Sequence, residues 1–296
     1  MPPRIASLLA SATEIVYGLG LGEYLVGVSH ECDYPPEATT KPRLTGSRIN
    51  ASASSGQIDR EVRERTTAGE ALYEIDVATL ASLAPDLIIT QAQCDVCAVR
   101  YADVLDAVAS EPALRNTQVI ALNPQTFDDV LADIGRVAAA ADCPEQGAAY
   151  IAELSARVEK VAAIGRVVPP EQRPRVACIE WTDPLMLAGN WMPQMVEMAG
   201  GVNLLTKAGE HSPVCRWDDL RAADPEVIVV CPCGFDLERS RQELSTLEAL
   251  PGWSQLSAVK QGRIYPADGN AYFNRSGPRM VDSLELLASF IHPGHA

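Results

Sequence analysis

Pro85-Asp86-Leu87-Ile88-Ile89-Thr90 recurs 140 residues on as Pro225-Glu226-Val227-Ile228-Val229-Val230, and a leucine, Leu80 or Leu220, stands five residues before each proline. Proline disfavours helix in the residue before it, so each copy reads as a helix running out into a short buried strand. Further out lies a second matched pair, Arg4-Ile5-Ala6-Ser7-Leu8 and Arg175-Val176-Ala177-Cys178-Ile179, 171 residues apart. The first half therefore carries 31 extra residues. They fall in the polar stretch of about 46–76, Ser-rich from Ser52 to Ser55 and then charged and helix-like from Gln57 to Glu74.

Between the halves, Glu145 to Ile164 has a helical period, with Ala148, Ile151, Leu154, Val158 and Val161 on one face. Pro169, Pro170 and Pro174 end that helix. Elsewhere strand precedes helix, as in Gln118 to Leu122 followed by Asp128 to Ala141, and Gly18-Leu19-Gly20-Leu21-Gly22 reads as the C-cap turn of a first helix. Alternating strands and helices imply parallel sheets covered on both faces. The expected organisation is an N-terminal α/β lobe over 1–142 with its insertion, a linking helix over 143–168, and a C-terminal α/β lobe over 169–296.

The 296 residues hold 24 Lys plus Arg against 39 Asp plus Glu, a formal charge of −15, which argues against nucleic acid and anionic lipid as partners. No apolar run has the length of a membrane span. Met1-Pro2-Pro3 leads at once into the first strand, with no basic region ahead of an apolar core, so the reading is cytoplasmic, or extracytoplasmic if a leader was removed. Eight cysteines in a chain of this length read as thiol sites sooner than as disulfide staples.

Ligands of open parallel sheets sit beyond the carboxyl ends of the strands. The residues there are Ser11, Thr13 and Glu14; Ser29 to Pro36; Gln91 to Cys97; Glu180 and Trp181; and Cys231-Pro232-Cys233. Ser11 with Glu14 also reads as a capping box. If the lobes face each other, Cys94, Cys97, Cys231 and Cys233 converge, a donor set that suits zinc or an iron–sulfur cluster, with Cys32 or Cys215 completing it. Buried thiols, or thiols touching an organic ligand, are the alternatives. His30 and His211 are candidate axial metal ligands. Aromatics are scarce, at 5%, yet Trp181, Trp191, Tyr272 and Phe273 all fall in loops or at strand ends, where a large ring ligand finds flat apolar faces. No phosphate loop, Gly-x-Ser-x-Gly elbow or His-Glu-x-x-His motif is present, so the chain reads as a binding protein and not an enzyme.

Arg4-Ile5 through Thr13-Glu14, Val26-Gly27-Val28-Ser29 through Asp33-Tyr34-Pro35-Pro36, the Leu-x-Pro-Asp-Leu strand, Glu197-Met198-Ala199-Gly200-Gly201 and Arg275-Ser276-Gly277-Pro278-Arg279 follow in order. Together they resemble the cobalamin-binding and ferric-siderophore-binding proteins of ABC importers, over nearly the whole chain except about 46–76. The resemblance implies two Rossmann-like lobes joined by a long helix, with the ligand clamped in the cleft between them. It implies that the loop of Glu31 and Tyr34 touches a corrin from one lobe and Tyr272-Phe273-Asn274-Arg275 from the other, with Trp181 on the wall. Glu31 stands where the cobalamin binders carry an aromatic, and Glu74 and Glu197 lie near the importer-docking glutamates. The function so implied is non-enzymatic binding of cobalamin or a related corrinoid. Trp181, Trp191, Tyr272 and Phe273 would cover the ring, and Gln91, Asn274 and Arg275 would bond its amide rim. The partner would be an importer permease or a corrinoid acceptor protein. A metal or iron–sulfur protein, and a heme or ferric-siderophore binder on the same scaffold, are the other readings.

Overall fold

A computed structural model of the chain describes residues 2–93, 96 and 98–294. Two compact units form, one from Met1–Pro124 with Asp129–Glu153, the other from Gln125–Asp128 with Leu154–Ala296.

In unit 1 the chain runs β1 (Ile5–Ser7), α1 (Ala10–Gly18), β2 (Leu25–Val28), β3 (Thr45–Ser47), α2 (Ser55–Thr67) and β4 (Tyr73–Ile75). It continues through α3 (Val77–Leu83), β5 (Leu87–Gln91), α4 (Tyr101–Ser110) and β6 (Gln118–Leu122). The sheet order is β2-β1-β5-β6, parallel throughout. Two helices follow, α5 (Phe127–Ala140) and α6 (Pro144–Val167), and each contributes residues to both units.

Unit 2 runs β7 (Arg175–Thr182), β8 (Leu185–Leu187), α7 (Met192–Met198), β9 (Val202–Asn203), α8 (Trp217–Ala223) and β10 (Val227–Val230). It ends with α9 (Leu237–Glu248), α10 (Ser257–Lys260), β11 (Ile264–Pro266) and α11 (Met280–Ile291). Its sheet order is β11-β10-β7-β8, with β9 beside β7. All pairings are parallel except β7 with β8. That exception departs from the all-parallel expectation for a covalent reason: Asp183-Pro184 is too short a connection for a parallel crossover.

The internal echo extends to atoms. Asp86 accepts the Arg4 backbone N–H at 2.8 Å, and Glu226 accepts that of Arg175 at 2.9 Å. Leu80 and Leu220 are fully buried at 0% exposure, each anchoring one hydrophobic core. Ala6 pairs with Ile88 in one sheet and Ala177 with Ile228 in the other. Helices α3 and α8 both end on a left-handed residue, Ala84 (φ 40°) and Asp224 (φ 45°). Asp224 has a second task, accepting the Ser257 N–H and hydroxyl at 2.8 and 2.7 Å, whereas the Ala84 side chain has none. Ala84→Gly should therefore relieve the strain of that conformation and raise stability by about 0.5 kcal/mol in urea unfolding. An unchanged or lower midpoint would contradict the left-handed cap.

Two local expectations are corrected. The Ser11–Glu14 capping box does not form, because α1 begins at Ala10 with Leu9 as N-cap and no side-chain bond. Thr13 instead donates to Ser7 Oγ at 2.9 Å. The insertion helix stops at Thr67 rather than continuing to Glu74, and Tyr73–Ile75 pairs antiparallel with Thr45–Ser47. Its true capping box is Ser54 with Gln57, and Asp59–Arg63 and Glu61–Arg65 ion pairs at 2.8 and 3.0 Å support an otherwise polar helix. The cap at Gly20 does form, with Leu21 N–H donating to Val16 and Gly20 N–H to Tyr17 at 3.0 and 2.9 Å.

Candidate functional site

In unit 1 the carboxyl end of β2 leads into Ser29-His30-Glu31-Cys32. Arg43 anchors this loop by donating to the carbonyls of Ser29 and Cys32 at 2.8 and 2.7 Å. Thr45 Oγ1, on β3, accepts the His30 N–H at 3.0 Å and lies 2.7 Å from His30 Nδ1, while Nε2 lies 3.1 Å from Glu31 Oε1. Tyr73 lies against the imidazole, ring centres 5.5 Å apart. The Cys32 thiol is buried, 3.0 Å from Thr13 Oγ1. Glu31 and Tyr34 keep 52% and 44% of their surface exposed, and with exposed Asp33 they are presented outward. Gln91 is buried, its Oε1 accepting the Gln93 N–H at 2.7 Å and its Nε2 donating to Val99 O at 3.4 Å. It shapes the turn after β5.

In unit 2 Trp181 ends β7 half-buried, its ring 5.1 Å from Phe235, and the Arg239 guanidinium lies 4.6 Å over the other partner of that pair, Phe235. Glu243 fixes Arg239 at 3.4 Å and accepts the Thr182 hydroxyl. Tyr272 is half-buried below Arg279, 5.7 Å from guanidinium to ring centre. Phe273 is wholly buried, and Trp191, 6% exposed, donates its indole N–H to Phe273 O at 2.7 Å. Asn274 donates to the carbonyls of Cys231 and Gly269 at 2.8 and 3.1 Å, and buried Arg275 donates to Asn270 Oδ1 at 2.9 Å. These four residues hold the 268–275 segment onto the end of β10, while Trp181 and Tyr272 retain open surface.

Glu180, before Trp181, accepts a hydrogen bond from Ser212 at 2.7 Å, and Ser212 Oγ accepts the Gly189 N–H at 2.9 Å. Burial raises the Glu180 carboxyl above its ordinary range, and the Ser212 hydroxyl partly offsets this. Burial also pushes Cys178 up to about 12 and Cys231 well above the usual thiol range, so both keep their protons.

The expected zinc or iron–sulfur site is not supported. Cys94 and Cys97 lie outside the described residues. Cys231 is 0% exposed. Cys233 is exposed, and Cys215 packs beside the Leu220 core. His30 is engaged by Thr45, and His211 is exposed. Among the described residues no three His, Cys, Asp or Glu side chains gather as a metal site. Sequence reasoning missed Thr45, Ser212, Phe235 and Arg239, each brought in from a distant segment without a local motif.

Comparison with known proteins gives four findings. The family model described as periplasmic binding protein matches residues 5–271. An ABC transporter substrate-binding lipoprotein of Bacillus subtilis is 22% identical over 294 residues, covering 99% of this chain and 81% of its own length. A vitamin B12-binding protein of Vibrio cholerae is 23% identical over 302 residues, covering 97% of this chain and 88% of its own. Among solved structures, a periplasmic heme-binding protein from Roseiflexus superposes with TM-score 0.71 at 24% identity, covering 98% of each chain. The lipoprotein among these relatives leaves the cytoplasmic expectation without support. No helix among the described residues is long and apolar enough to cross a membrane.

Proposed function

The chain belongs to the periplasmic binding protein family, and from that premise we propose that it is a non-enzymatic, extracytoplasmic substrate-binding protein that delivers a corrinoid to an ABC importer permease. The observation that carries this reading is the Trp181–Phe235–Arg239 cluster at the end of β7, with the two rings tilted by 44°. A half-buried indole backed by a second ring and a guanidinium is a preorganised flat platform for a ring ligand. Tyr272 supplies a second half-buried ring on the same unit. The B12-binding relative favours a corrinoid. Heme is the second reading, favoured by the heme-binding protein among the structural neighbours. The net charge of −15 disfavours anionic ferric siderophores.

Titration of purified protein with cyanocobalamin and with hemin, followed by tryptophan fluorescence and calorimetry, tests the proposal. Saturable one-to-one binding of cyanocobalamin at micromolar Kd or tighter is expected, with Trp181→Ala weakening it about tenfold or more, as for a buried aromatic anchor. Folded protein that ignores cyanocobalamin, or prefers hemin, would overturn the corrinoid reading.

A further inference from the structure

The turn Ala188-Gly189-Asn190-Trp191 and the loop 204–216 are tied together at the carboxyl end of β7. Asn190 N–H donates to Glu210 O at 2.7 Å, and Gly209 N–H donates to Asn190 O at 3.0 Å. Gly189 permits this approach, because a Cβ there would stand 2.3 Å from Glu210 O and 2.8 Å from Ser212 N. Asn190 holds a left-handed conformation, φ 49°, in the same contact. Glu180 closes the arrangement from the strand: its Oε2 takes the Ser212 hydroxyl proton at 2.7 Å, and Ser212 Oγ takes the Gly189 N–H at 2.9 Å. Its Oε1 makes no hydrogen bond among the described residues and is not one of their buried side-chain atoms left without a partner. One carboxyl oxygen is thus fixed by a chain of bonds ending in backbone, and the other carries no hydrogen bond among the described residues, on the residue that precedes Trp181 in β7.

Resting on the corrinoid reading, we propose that Glu180 is a specificity-determining residue: it latches the 204–216 loop through Ser212 and offers Oε1 to a primary amide N–H of the ligand. An acceptor fixed in this way favours a ring whose rim carries amide donors over one whose rim carries carboxylates, which bring acceptors and negative charge to the same oxygen. Ser212 is then a positioning residue, acting through Glu180.

Wild type, Glu180→Gln, Glu180→Ala and Ser212→Ala are titrated with cyanocobalamin and hemin, and amide exchange is followed at Gly189, Asn190 and Gly209. For cyanocobalamin, Glu180→Ala should lose about tenfold or more and Ser212→Ala several-fold, as for a lost hydrogen bond to a charged group. Glu180→Gln, which keeps an acceptor, should stay within about threefold, and the preference for cyanocobalamin over hemin should narrow in Glu180→Ala. The three amides should exchange faster in Glu180→Ala and Ser212→Ala than in wild type or Glu180→Gln. Unchanged affinity ratios in Glu180→Ala would overturn the proposal. Wild type binding neither probe would overturn the corrinoid reading itself. In that case unaltered exchange in Glu180→Ala overturns the latch, and accelerated exchange rescued by Gln supports it.

Discussion

Asp133→Asn should abolish most of a stability loss that the wild-type protein suffers as pH rises from about 4 to about 6. Asp133, on α5, is 0% exposed, and neither carboxyl oxygen has a hydrogen-bond partner among the described residues. It has an ion pair with Arg136 at 2.8 Å, and Arg136 is 48% exposed, so the compensating charge sits largely in water. Burial therefore dominates and raises Asp133 from 3.8 to about 6, with Arg136 pulling it down and Asp129 adding to the rise. Because the folded-state value is the higher one, the stabilisation belongs to the protonated form. It is complete below the unfolded value and is lost as pH rises through about 6. At 1.36 kcal/mol per pKa unit the loss amounts to about 3 kcal/mol. The amide keeps the shape and carries no charge. Urea unfolding at a series of pH values should give a falling midpoint for wild type and a nearly flat one for Asp133→Asn, with the variant the more stable at pH 8. Parallel profiles for the two proteins would show that Asp133 carries its charge in the fold without penalty.

This carboxyl could not be read in the sequence: Asp133 lies in a helical stretch with Asp128 and Asp129 close by, and nothing local separates the buried acid from the others. What could be read was periodic. The Leu-x₄-Pro echo located α3–β5 and α8–β10 because burial of Leu80 and Leu220 and the turn before proline are encoded within ten residues. The two-residue Asp183-Pro184 connection forces β8 antiparallel, since a parallel partner needs a crossover of a dozen or more residues. The site depended on contacts between distant segments. Ser212 reaches Glu180 across 32 positions, and Trp191 reaches Phe273 across 82. Phe273 has the composition of an exposed loop aromatic, yet its backbone, at φ 26°, is held by the Ser283 hydroxyl and the Trp191 indole, and the ring turns into the core. The cysteine spacing was legible, but the protonation of Cys231 follows from burial, which spacing does not carry.

Gly269→Ala should be the most damaging single methyl in unit 2. A Cβ at Gly269 would lie 2.1 Å from Pro232 O and 2.7 Å from Cys231 O. Both obstacles are backbone on the segment leaving β10, where Cys231 N–H is already bonded to Ile179 O at 2.9 Å, so neither can swing aside as a side chain can. Relief has to come from displacing residues 268–275. That displacement breaks the Asn274 bonds to Cys231 O and Gly269 O, loosens Arg275 from Asn270, and carries Tyr272 away from Arg279. Overpacking of this kind costs about 3 kcal/mol. Asn274→Ala, which leaves the backbone in place and removes two hydrogen bonds, should cost about 1–2 kcal/mol. The double variant should fall short of the sum, because the methyl already breaks the bonds that the second substitution removes. Cyanocobalamin affinity should drop more than tenfold in Gly269→Ala and only a few-fold in Asn274→Ala, since the first moves Tyr272 and the second leaves it under Arg279. A Gly269→Ala protein with a wild-type urea midpoint would mean that the two segments do not approach as closely as 2.1 Å implies, and the fixed position of Tyr272 would go with it.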